Sequence, residues 1–130
     1  GEGEEQSAFQ LDSLINVGHW MQRPHTHVTP CQRLGPNGQT FPRYLVASLT
    51  HIMDLEAHKT KMNVAKLKAW HPLSTLRDIK LNETDKDVVT LIFQSKDTKP
   101  RGYAYVIDKG RVGATVQSIR DLQARANQTK

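Results

Sequence analysis

His19, His25, His27 and Cys31 lie close together near the start of the chain, and their types suit two chemistries. A thiol beside an imidazole can act as nucleophile and base, provided both face the same way. On an extended segment residues 25, 27 and 31 share a face only while the segment stays straight, and Pro30 is expected to interrupt it. Cys31 therefore reads as a small buried hydrophobe, the commoner fate of a lone cysteine. The same four side chains could ligate zinc, but structural zinc sites use two tight ligand pairs, and His-x-His with one cysteine falls short. No P-loop, dinucleotide fingerprint or His-Glu-x-x-His occurs in the chain. The expectation is a non-enzymatic chain with no catalytic residues, no metal and no cofactor.

Charge offers a different chemistry. The 130 residues hold 18 Lys+Arg against 13 Asp+Glu, a net +5, unevenly spread. Residues 1–12 hold Glu2, Glu4, Glu5 and Asp12 and no base, so the rest of the chain stands at 18 bases to 9 acids. Residues 59–80 hold Lys59, Lys61, Lys66, Lys68, Arg77 and Lys80 against Asp78 alone. Such a run attracts acidic peptides, phosphoinositide headgroups or nucleic acid, and it also suits a solvated strand face. Nucleic acid is not expected: aromatics are 6%, and only Trp70, near Lys66 and Lys68, interleaves with bases. Lys59-Thr60-Lys61, in a loop between strands, could contact phosphates.

These residues need a scaffold, and the main pattern is alternation of period two. Strands are expected at His27–Arg33, Arg43–Leu49 and from Met53 to about His58. A further strand places Ala65, Leu67 and Ala69 inward and Lys66, Lys68 and Trp70 outward, with Pro72 interrupting it or marking an edge. Ile79 and Leu81 share one face of a short strand. Val88–Phe93 is the most apolar run, apolar on both faces, and Tyr103, Tyr105 and Ile107 alternate as the last strand. Val112, Val116, Ile119, Leu122 and Ala126 then recur at spacings of three and four, one face of a helix. Asp108 is the expected cap, and Gly110 and Gly113 should delay the first turn. The helix's polar face carries Arg111, Gln117, Arg120, Asp121 and Arg125.

About seven antiparallel strands and one C-terminal amphipathic helix describe an α+β, mainly β, pleckstrin-homology-like fold. The curved, barrel-like sheet has open ends, and the helix caps one of them. Residues 14–130 are assigned to this domain and 1–13 to a flexible acidic N-terminal segment. That segment pairs acids with Phe9 and Leu11 and so loosely resembles an acidic ligand that could fold back on the basic surface. No stretch approaches the ~18 apolar residues of a membrane span, and the acidic, polar start is unlike a signal peptide. The single cysteine excludes an internal disulfide and suits a reducing compartment.

Particular residues also resemble a known family. Pro24-His25-Thr26-His27-Val28-Thr29-Pro30-Cys31-Gln32-Arg33, then Asn37-Gly38-Gln39-Thr40-Phe41-Pro42-Arg43-Tyr44-Leu45-Val46 and Thr50-His51-Ile52-Met53-Asp54-Leu55, follow one order. Leu73-Ser74-Thr75-Leu76 with Ile79, and Val89-Thr90-Leu91-Ile92-Phe93, continue it. This resembles the C-terminal domains of the TBC domain family, member twenty-three group, over roughly residues 14–94. The resemblance implies a vesicle-bridging adaptor in endosome-to-trans-Golgi transport. Such domains bind acidic Leu/Phe motifs of the WASH-complex tail subunit and contact phosphatidylinositol 4-phosphate; other parts of the full-length protein engage golgins. It also implies a cytoplasmic, peripheral location at the trans-Golgi network and endosome-derived vesicles. Where the family carries lysines before its Ile-Thr-Phe strand, this chain carries Glu83, Asp85 and Asp87. The expected peptide-binding surface therefore rests on Lys59, Lys61, Lys66, Lys68, Arg77 and Lys80. Trp70, Val88 and Ile92 are expected outward as apolar anchor sites, and Lys59 and Lys61 as the phosphoinositide contacts.

Overall fold

Alternating apolar residues, broken by turn-forming glycine, asparagine and proline, build eight strands in a computed structural model that describes residues 10–128. β1 (Leu14–Asn16) and the one-turn helix α1 (Val17–Met21) lead into β2 (His27–Leu34), β3 (Thr40–Ala47), β4 (His51–Ala57) and β5 (Val64–Pro72). A 3-10 turn (Leu73–Thr75) then starts β6 (Leu76–Leu81), followed by β7 (Val88–Phe93), β8 (Arg101–Ile107) and helix α2 (Val112–Gln128). Every neighbouring pair is antiparallel, in the order β1-β5-β4-β3-β2-β8-β7-β6. β1 and β6 end the sheet, so it is not closed into a barrel. Of the acidic segment, Glu2, Glu4, Glu5 and Phe9 lie outside the described residues. Asp12 and Ser13 are bonded to β5 through the backbone of Leu67, at 2.7 and 2.9 Å.

Alternation sorts the apolar side chains into two layers. One holds Leu45, Ile52, Val89, Leu91, Tyr105 and Ile107 together with Val112, Ile119 and Leu122 of α2. Burying each α2 anchor stabilises the fold by about 1.5–3 kcal/mol, which more than offsets the helix's weak, glycine-containing start. The second layer lies on the opposite face of β3–β5, where Val46, Met53, Leu55, Ala65 and Leu67 meet Val17 and Trp20 of α1. The sequence reading named neither β1 nor α1. Gly38 and Gly110 have φ of +81° and +82°, the left-handed backbone that their turns require.

Several expectations need correction. β2 runs unbroken through Pro30, because β8 pairs with β2 only from Cys31 onward and a missing N–H is tolerated beside an unpaired stretch. A register shift against Asp54 and Leu55 makes Lys68 an extra residue in β5. The bulge resets the alternation, so Trp70 packs in the same layer as Ala65 and Leu67 rather than opposite them. Ile79 is buried, but Leu81, at the strand's end, is exposed. Asp108 does not cap α2: its backbone carbonyl accepts from Arg111 N–H at 2.9 Å, and Arg111, just before the helix, accepts from Thr115 N–H. Gly110 at positive φ holds that turn, and the helix starts at Val112.

On the same face of the sheet as the first layer sits a charged network. The Asp54 carboxylate, 2% exposed, accepts a 2.7 Å hydrogen bond from Tyr105 Oη and lies 3.0 Å from Arg43 Nε and 3.5 Å from Arg33. The Arg43 Nε contact is an ion pair without hydrogen-bond alignment, so Arg43 directs its terminal nitrogen to Glu56 at 2.9 Å. Removing the carboxylate leaves two guanidinium groups without their shared anion. Asp54→Ala is expected to lower unfolding free energy by about 3–5 kcal/mol and Tyr105→Phe by about 1–2 kcal/mol, read from urea unfolding.

Candidate functional site

The β4–β5 loop is held by its own first residue. His58 Nδ1 accepts from the backbone N–H of Thr60 at 3.2 Å and of Lys61 at 3.0 Å, while His58 N–H donates to Val64 O at 2.8 Å. α1 is tied to the same loop: Val17 N–H donates to Asn63 O at 2.8 Å, and the Asn16 side chain caps the helix through His19 N–H. Loop and helix together wall a cavity of about 470 Å³ over the outer face of β2 and β3. Val28, Pro30 and Tyr44 line it from the strands, Val17 and Met21 from the helix, and Lys59, Lys61 and Met62 from the loop. Among the described residues no acidic one lines it. Met62 is 86% exposed, the most exposed large apolar side chain among the described residues, and Met21 is also exposed. The arrangement can take an apolar side chain and surround its acidic flanks with ammonium groups.

The other expected site residues are distributed around the fold. Lys66 stands opposite Glu56 on β4 and Leu14 on β1. Lys68 is paired with Asp12 at 3.3 Å. Trp70 is half-buried, edge-on to His51 with ring centroids 6.0 Å apart. Arg77 and Lys80 are exposed on β6, at the opposite end of the strand order from β5. Val88 is 7% exposed and stands beside Val106, whereas Ile92 is half-buried beside Gly102. The structure thus brings Lys59 and Lys61 to one apolar cavity and separates them from Arg77 and Lys80, because the chain turns a corner at residues 73–75. His58, Met21 and Tyr44 were missed by sequence reasoning; Met62, between a basic pair and an asparagine, carried the one readable signal.

The residues considered for chemistry are not assembled for it. Cys31 is buried, and burial, reinforced by Asp54, pushes its thiol up to about 12. Among the described residues no three His, Cys, Asp or Glu side chains come together to hold a metal. A cavity of about 600 Å³ between the end of α2 and the 3-10 turn is larger than the lysine-rimmed one but is lined by no charged group among the described residues.

No family model matches the chain. Solved structures define its class: it has the pleckstrin-homology-like fold. It is similar to the PDZ-RhoGEF DH/PH domains solved with GTP-gamma-S activated RhoA, with a TM-score of 0.63 and 18% identity over 74% of this chain. It is also similar to the DH/PH domains of p115-RhoGEF, with a TM-score of 0.60 and 11% identity over 82% of this chain. The match spans only 28% and 36% of those two chains.

Two histidines, His51 buried and His71 half-buried, make stability pH-dependent. Burial, then the charge of Arg23, lowers His51 from 6.5 to about 4; burial, then Arg101 and Arg33, lowers His71 to about 4. Their folded values lie below the unfolded one, so the unfolded chain takes up protons first. Stability is full above pH 6.5 and is lost as pH falls toward 4, by on the order of 2 kcal/mol per histidine. Urea midpoints measured across this window should fall with pH, and His71→Phe, which keeps the stack on Phe93, should flatten the slope.

Proposed function

We propose that the chain is a non-catalytic interaction module whose ligand is an acidic peptide with a Leu or Phe anchor. The anchor enters the cavity between α1 and the β4–β5 loop, and its acidic neighbours meet Lys59 and Lys61. The observation that carries this reading is the coincidence of an apolar floor and a lysine rim around one cavity of about 470 Å³. That volume lies within the ~300–1,000 Å³ of ordinary ligand sites. The Coulomb term speeds encounter, and the apolar anchor sets residence time.

The residue-by-residue resemblance over 14–94 supports a particular ligand and setting. It favours an acidic motif of the WASH-complex tail subunit and a vesicle-bridging adaptor of the TBC domain family acting between endosome-derived vesicles and the trans-Golgi network. A second reading, a phosphatidylinositol 4-phosphate headgroup held by Lys59 and Lys61, is favoured by the exposed Met62 beside them, which suits a bilayer interface.

Calorimetric titration with an acidic Leu-Phe peptide tests the first reading. Affinity should fall with added salt, and Lys59→Ala with Lys61→Ala should weaken it by about 2- to 30-fold, as expected for two exposed charge pairs. Arg77→Ala with Lys80→Ala should change little. Absence of binding, or indifference to the loop lysines, contradicts the reading; flotation with vesicles containing phosphatidylinositol 4-phosphate, without any peptide, supports the second.

A further inference from the structure

The opposite end of β5 borders a second cavity, of about 280 Å³, between the strand's last residues and the β7–β8 loop. From Val64 to Trp70 the strand spans roughly 20 Å, so this cavity is distinct from the lysine-rimmed one. Its polar lining includes His71, Thr75, Ser95, Thr98, Lys99 and Arg101, and among the described residues no carboxylate lines it. Asp97 belongs to the same loop but not to the wall.

Three observations point to an anion. First, positive charge is concentrated around one ring: the Arg33 guanidinium lies 4.7 Å and that of Arg101 5.8 Å from the Tyr103 centroid. Second, the His71 ring is stacked on Phe93 at 3.9 Å, and its Nε2 is buried with no hydrogen-bond partner. A buried polar atom left so costs about 1–3 kcal/mol, a cost that a ligand oxygen would remove. Third, the same field and burial hold His71 neutral, near 4, a state that an adjacent anion would oppose. Lys99 and Arg101 are exposed and form no ion pair among the described residues.

We propose that this cavity binds a phosphate monoester carried by the side chain of a partner protein, with Lys99 and Arg101 as counter-charges and His71 Nε2 and the Ser95 hydroxyl as hydrogen-bond partners. A protein is favoured over a membrane. Residues 94–100 bring no apolar side chain except Pro100, and the exposed large apolar residues all lie elsewhere.

Nuclear magnetic resonance titration tests it, with a serine-phosphorylated peptide, its unphosphorylated twin and inorganic phosphate, following the His71 imidazole. The phosphopeptide should shift His71 and raise its pKa by a unit or more. Lys99→Ala with Arg101→Ala, both at the surface, should weaken binding at least tenfold, whereas Arg77→Ala with Lys80→Ala, exposed on β6, should leave it unchanged. No shift at His71, equal binding of the unphosphorylated peptide, or equal binding of inorganic phosphate would overturn the proposal. So would vesicle flotation that depends on Lys99 and Arg101, which would assign the site to a lipid headgroup.

Discussion

A single buried carboxylate sets the geometry on which both cavities depend. Asp54 sits on β4, Arg43 on β3, Arg33 on β2 and Tyr105 on β8, so one anion draws in side chains from four strands. It spans the β2–β8 junction, where one half of the sheet passes into the other. Desolvation pushes the Asp54 carboxyl up, while the Tyr105 hydrogen bond and the two guanidinium groups oppose that push. Burying an ion costs several kcal/mol, so the arrangement persists only while every partner keeps its place. That requirement fixes the relation of the two halves more tightly than apolar contact alone, which is indifferent to direction.

Both cavities are by-products of that arrangement. The inner face of β4 is committed to the charged network and the main core, so Met53 and Leu55 must be covered from outside. α1 and β1 provide that cover, and α1 ends beside the β4–β5 loop, leaving a hollow where helix, loop and strands meet. At the far end, Arg33 lies both beside Asp54 and over Tyr103, so the network's positive charge reaches a ring that lines the second cavity.

Much of this scaffold was legible in the sequence because period reports burial directly. Val88–Phe93 has the expected bounds, and the apolar face of α2 is the one named by spacing. β1 and α1, of three and five residues, are too short to show a period, and their existence depends on the edge of β5 and the layer beneath. The bulge at Lys68 was unreadable because nothing local distinguishes an extra residue in an alternating run. Charge was misleading in a different way. Lys59 to Lys80 form one run in sequence, yet the corner at residues 73–75 sends Arg77 and Lys80 to the other end of the sheet. The cavity under the loop was invisible because its floor comes from β2 and β3, distant in sequence from its lysines.

The chain's three methionines allow the central claim, that the cavity beneath the β4–β5 loop is the ligand site, to be tested directly. Met21 and Met62 line that cavity, and Met53 is fully buried in the layer below. Methyl resonances of methionine-labelled protein, followed during addition of an acidic Leu-Phe peptide, report all three at once. The account predicts saturable shifts at Met21 and Met62 with Met53 nearly still. Binding that leaves Met21 and Met62 unmoved would contradict it.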